Sequence, residues 1–137
     1  MEFDSQICTT EEQSKRLLAL GLKKETADMC YQVKFFDPFP QILVDCTPSL
    51  LTHPPIDNER FIPAWSLHRL IEMLNYQVRY NGKTYEPAIA IDGMAYYDIC
   101  TDDPIVGWSR DLYIDAIDCI EWLISIEQFN KEYLEEK

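Results

Sequence analysis

Few residues in this chain could do covalent chemistry, and their spacing narrows what they could do. There are only two histidines. His53 sits in Leu51-Thr52-His53-Pro54-Pro55, a loop segment of the kind that often carries function. Cys46 could meet it in space, as could any distant pair, to give a Cys–His nucleophile. His68 follows Ser66 by two residues on a predicted helix, where i and i+2 side chains do not face each other. A Ser–His pair inside that helix is therefore disfavoured. Asp98, Asp102 and Asp103 gather just before Pro104, and clustered carboxylates can hold Ca²⁺ or Mg²⁺. Their spacing matches no EF-hand loop, and Asp before Pro is ordinary turn chemistry. With four glycines in the chain, a phosphate-cradling loop has little material. The five cysteines, Cys8, Cys30, Cys46, Cys100 and Cys119, are too scattered for a clustered zinc site or a disulfide framework. No catalytic residue, metal ligand or cofactor site is assigned.

The strongest pattern is electrostatic. From Asp111 through Asn130 there are five acids and no Lys or Arg. On a helix, Asp111, Asp115, Asp118 and Glu121 fall within an arc of roughly 120°. Leu112, Ala116, Ile117, Cys119, Ile120, Leu123 and Ile124 fill the other side, and Trp122 is expected to project among the acids. The carboxylates recur at about 4.5–6 Å along the axis, comparable with the phosphates of one DNA strand. The sharp reading is a ridge for a cationic partner, with Trp122 as an interface anchor. The bland reading is a solvated helix face whose first acids favour the helix dipole.

Several elements must position these groups. Thr9 and Glu12 fit a capping box, and Gly21-Leu22 a glycine C-cap, around a helix at 10–20. Met29, Tyr31, Val33 and Phe35 alternate with Cys30, Gln32 and Lys34, as in a half-buried strand. The stretch 37–63 holds six of the eight prolines and reads as a long irregular crossing with a short strand at 41–45. Ser66 opens a helix at 66–75. Asn81-Gly82 marks a hairpin near 77–86, and Asp92-Gly93 a second near 89–97. Ser109 or Asp111 starts the last major helix, 110–127, with a short helix after Asn130. The fold class expected is α+β: an antiparallel sheet of three to five strands packed against about three helices.

The length, 137 residues, suits one acidic domain, 1–137. The net charge of −12 disfavours direct binding to nucleic acid or to an anionic membrane and leaves basic protein surfaces open. Met1-Glu2-Phe3-Asp4 lacks the charge and apolar run of a signal peptide, and no apolar run would span a bilayer. A cytoplasmic protein with reduced thiols is expected.

Three segments resemble small uncharacterised proteins encoded by prophages and other mobile elements of gut Bacteroidetes. They are Glu12-Gln13-Ser14-Lys15-Arg16-Leu17-Leu18 with Gly21-Leu22 and Thr26-Ala27-Asp28-Met29; Pro63-Ala64-Trp65-Ser66-Leu67 with Leu70 and Met73-Leu74; and Ile117-Asp118-Cys119-Ile120-Glu121-Trp122-Leu123 with Asn130-Lys131-Glu132-Tyr133-Leu134. They span about a third of the chain, and the resemblance carries no site residues with it. It implies an accessory or host-interaction role rather than a metabolic enzyme.

The expectation is therefore a non-enzymatic interaction protein that meets a basic protein surface through Asp111, Asp115, Asp118, Glu121 and Trp122, in one form as an inhibitor imitating DNA. The alternatives are a hydrolase or metal-dependent enzyme using His53, Asp98, Asp102 and Asp103, and a self-associating structural subunit, a homo-oligomer.

Overall fold

The computed structural model of the chain describes residues 6–36, 39–42, 49–50 and 61–135. Its elements are three α-helices and two antiparallel sheets, an α+β fold as the residue patterns indicate. Within the span 1–137, contacts gather into two compact units: Met1–Arg69 with Tyr133–Lys137, and Leu70–Glu132. Cys46 and His53, and most of the proline-rich crossing, lie outside the described residues.

The first unit opens with α1 (Glu11–Ala19). Its capping box is formed by Thr10 and Gln13, one residue later than the expected Thr9 and Glu12. The reason is tertiary. Thr9 is fully buried, its hydroxyl shares a hydrogen with Ser14 Oγ (2.8 Å) and accepts the Trp65 N–H (3.1 Å), and it is no longer available to the helix end. At the other end Gly21, at φ +104°, lets the chain turn back. The Leu22 N–H reaches Leu17 O and the Gly21 N–H reaches Leu18 O, the paired bonds of a Schellman cap. Leu17 and Leu22 are both buried, as the hydrophobic contact of that motif requires.

Strand β1 (Met29–Phe36) organises the sheet of this unit. Its far half pairs with β2 (Phe39–Ile42), and its near half pairs with both β3 (Ser49–Leu50) and β4 (Phe61–Ala64). The short strand expected at 41–45 thus starts two residues earlier. Trp65, which follows β4, is buried completely, and its indole N–H donates to Thr26 Oγ1 (2.9 Å). Asp28 accepts the Ser66 backbone N–H (2.8 Å) and the Ser66 hydroxyl. Ser66 Oγ in turn accepts the Arg69 N–H (3.2 Å), the expected cap of α2 (Leu67–Glu72). Residues 133–135 return to this unit: the Lys23 N–H donates to Tyr133 O (2.8 Å) and the Glu135 N–H to Gly21 O (2.7 Å).

The second unit is a four-stranded antiparallel meander in the order β5 (Val78–Tyr80), β6 (Lys83–Ala90), β7 (Gly93–Asp98), β8 (Pro104–Gly107). Asn81 and Gly82 both take positive φ, 53° and 76°, as a two-residue turn between right-twisted strands demands. The second hairpin differs from expectation by one residue. Ala90 pairs with Gly93, so Ile91 and Asp92 form the turn and Gly93 is already strand. The last helix, α3 (Leu112–Ser125), packs on β7 and β8. Strand β7 is buried along most of its length, with Met94, Ala95 and Tyr96 inaccessible or nearly so. The Tyr96 hydroxyl donates within reach of Leu74 O (2.7 Å) and Tyr76 O (3.0 Å). After Asn130 a single 3₁₀ turn, Lys131–Tyr133, takes the place of the short last helix.

Candidate interaction surface

Helix α3 places the five residues singled out by charge in three different roles. Asp111 is the N-cap, and its carboxylate accepts the N–H groups of Tyr113 (3.0 Å) and Ile114 (3.1 Å). Negative charge there also suits the helix dipole. Asp115 is 0% exposed. One of its oxygens accepts the Met94 N–H (3.0 Å) and the other the Ser109 N–H (2.8 Å). Trp122 stacks against Tyr85 and Tyr96, at ring centroid distances of 5.4 and 5.5 Å. The expectation that Asp115 and Trp122 share an outward ridge is corrected on this point. Residues 115, 119 and 122 are spaced i, i+4, i+7 and form one row, and that row faces the sheet. The row meets Met94 at one end and the Tyr96 and Tyr85 rings at the other. Between them Cys119 is buried, and burial pushes its thiol up to about 12. Burial likewise raises the Tyr96 phenol.

The outward row of α3 is Ile114, Asp118, Glu121 and Ser125. Ile114 and Glu121 are exposed and Asp118 is half-buried. The row carries two acids and an isoleucine rather than four acids and a tryptophan.

The loop between β8 and α3 holds the surface tryptophan instead. Gly107, Trp108 and Arg110 all take positive φ: 111°, 60° and 74°. For a bulky residue such as Trp108 this backbone is a real outlier, costing on the order of 1–3 kcal/mol. It is held from three sides. The Trp108 N–H donates to Met94 O (2.8 Å). Gly107 approaches β7 so closely that a Cβ there would lie 2.1 Å from Met94 O. The Trp108 ring lies against Gly93, where a Cβ would come within 2.6 Å of it. Gly93 is therefore needed for that close approach, while the turn before it is made by other residues. Despite these restraints Trp108 remains 40% exposed. At the same end of the sheet Ile91, at the hairpin tip, is 98% exposed, and Ile114 in the first turns of α3 is 40% exposed. Asp92 is exposed beside Ile91. The whole span 91–127 contains nine acids and one base, Arg110.

The aspartates considered for metal or catalytic chemistry form the β7–β8 turn. Asp98 is buried; its carboxylate accepts the Cys100 N–H (2.9 Å) and lies 3.8 Å from Lys83 Nζ. Its backbone is bonded to Asp102 and Asp103, both exposed. Among the described residues no group of three His, Cys, Asp or Glu side chains is placed to hold a metal ion. No described helix is long and apolar enough to cross a membrane. Among the described residues, Cys8, Cys30, Cys100 and Cys119 form no disulfide. Cys8 donates to the Tyr31 hydroxyl (3.2 Å), which donates to Thr9 O (2.9 Å), and burial raises the Cys8 thiol.

Reasoning from residue types missed Trp108, Ile91 and Gly93. No sequence pattern marks them, because the exposure of Trp108 follows from the positive φ values at 107, 108 and 110. No protein-family model, curated protein or solved structure matches this chain.

Proposed function

We propose that the chain is a non-enzymatic interaction protein that receives a basic, apolar-striped segment of a partner protein at the turn end of the second unit. The observation carrying this reading is Trp108. A tryptophan kept partly exposed on strained backbone, at the same end of the sheet as an isoleucine that is 98% exposed, is the composition of an interface anchor. The surrounding acids select the partner's sign. Asp92 borders Ile91, and Glu121 and Asp118 continue the outward row of α3 from Ile114. Arg110, exposed in the same loop, is the one base in the span 91–127. Such a rim speeds encounter with a cationic surface and rejects anionic ones. The acidic helix keeps a part in this reading, with Trp108 in the place first given to Trp122. An accessory or host-interaction role, as the resemblance implies, needs no more than such a surface.

The test uses a synthetic amphipathic helix with a leucine stripe flanked by lysines, and a second peptide with glutamates in place of the lysines. In ¹⁵N NMR titrations the lysine peptide is expected to shift residues 89–93 and 107–114, and Trp108→Ala to weaken binding by roughly tenfold or more, the loss of one anchor. Equal affinity for both peptides, or a lysine peptide indifferent to Trp108→Ala and Ile91→Ser, would overturn the proposal. If light scattering shows a mass that rises with concentration and falls with Ile91→Ser, the occupant is a second copy instead.

A further inference from the structure

We infer that Asp115, although buried, is the positioning residue that sets Trp108 in its displayed orientation; this rests on the reading of Trp108 as an anchor. The carboxylate is bonded both to the start of β7, at the Met94 N–H, and to the loop, at the Ser109 N–H. Met94 O also accepts the Trp108 N–H, so Met94 and Ser109 bracket the tryptophan backbone from both sides. The Gly93 Cα that supports the ring faces the same carboxylate, 3.3 Å from where a Cβ would sit. A loop with three positive φ values in four residues would relax if either anchor were lost. A carboxylate is suited to this place because both its oxygens accept. An asparagine has one accepting oxygen and would turn an NH₂ towards an N–H.

The inference separates from the function it rests on. Trp108 is observed directly by incorporating 5-fluorotryptophan and recording ¹⁹F NMR, its resonance being assigned with Trp108→Phe. Asp115→Asn is expected to move or broaden the Trp108 resonance while those of Trp65 and Trp122 hold, and to weaken the lysine peptide about tenfold, the scale of one bond to a charged acceptor. In the unaltered protein the Ser109 amide, in a loop, is expected to exchange its hydrogen as slowly as a strand amide. A Trp108 resonance unmoved by Asp115→Asn overturns the inference. If that variant does not fold, the Ser109 amide decides: exchange at the rate of an open loop overturns it, and protection supports it. Peptide binding that ignores Trp108→Ala sinks the functional reading alone, because the ¹⁹F and exchange outcomes still judge Asp115.

Discussion

The two units use the same dipeptide in opposite ways. Trp65-Ser66 and Trp108-Ser109 each have the serine N–H held by an aspartate carboxylate, Asp28 in the first case and Asp115 in the second. Trp65 is buried completely, whereas Trp108 is 40% exposed. The carboxylates fix backbone in both places; what differs is the backbone they fix. Trp65 follows strand β4 and enters the core with its indole N–H satisfied by Thr26. Trp108 follows Gly107 in left-handed backbone, which turns the ring over the edge of the sheet and against Gly93. The same local bond can bury a side chain or display it, depending on the φ of one residue.

The comparison breaks most visibly at the tryptophans themselves. Trp65→Ala should cost about 3–5 kcal/mol in chemical denaturation, as large buried aromatics do. Trp108→Ala should cost less, about 1–2 kcal/mol, because the ring is already 40% exposed and alanine keeps the left-handed backbone. Equal losses would mean that Trp108 is a core residue and would remove the contrast. Next come the carboxylates. Asp115→Ala strands the buried Met94 N–H, which should cost about 1–3 kcal/mol, and leaves the part-buried Ser109 N–H to water. Asp28 is only half-buried, so water can replace it and Asp28→Ala should cost less. Gly82→Ala is a smaller probe of backbone alone: at φ 76°, with nothing within 4 Å of the added methyl, it should cost about 1 kcal/mol. Last is a pH effect in the second unit. The Cys119 thiol is raised in the folded state from 9.0 to about 12, so above pH 9 the unfolded chain loses its proton first. Stability should therefore fall as pH rises beyond 9, and Cys119→Ala should flatten part of that slope. Thiol labelling at pH 8 should modify exposed Cys100 well before buried Cys119.

Local signals were legible wherever the residue acts on its own neighbours. Gly21, Ser66, Asn81-Gly82 and Asp111 each end or begin an element where their chemistry requires. Signals shifted by one residue where a distant group competed for the same atom. Thr9 is taken by Trp65, so Thr10 caps; Gly93 is needed by the Trp108 ring, so Ile91-Asp92 makes the turn. The surface was the least legible part. A helical wheel ranks positions by polarity and treats an aspartate as outward, but the partners of Asp115 come from Met94, 21 residues away, and from a loop whose backbone no pattern announces. Trp122 was misplaced for the same reason: its two stacking partners lie on β6 and β7, and a wheel contains no sheet.

The bonds from residues 133–135 back to Gly21 and Lys23 have a consequence for how the chain comes off the ribosome. The second unit is one uninterrupted stretch, so its hairpins and helix can form as soon as they emerge. The first unit is sequence-discontinuous, and its backbone bonding at Gly21 and Lys23 is complete only after residues 133–135 are made. A chain cut before residue 133 should thus be felt more than a hundred positions upstream, where the Gly21 carbonyl and the Lys23 N–H lose their partners.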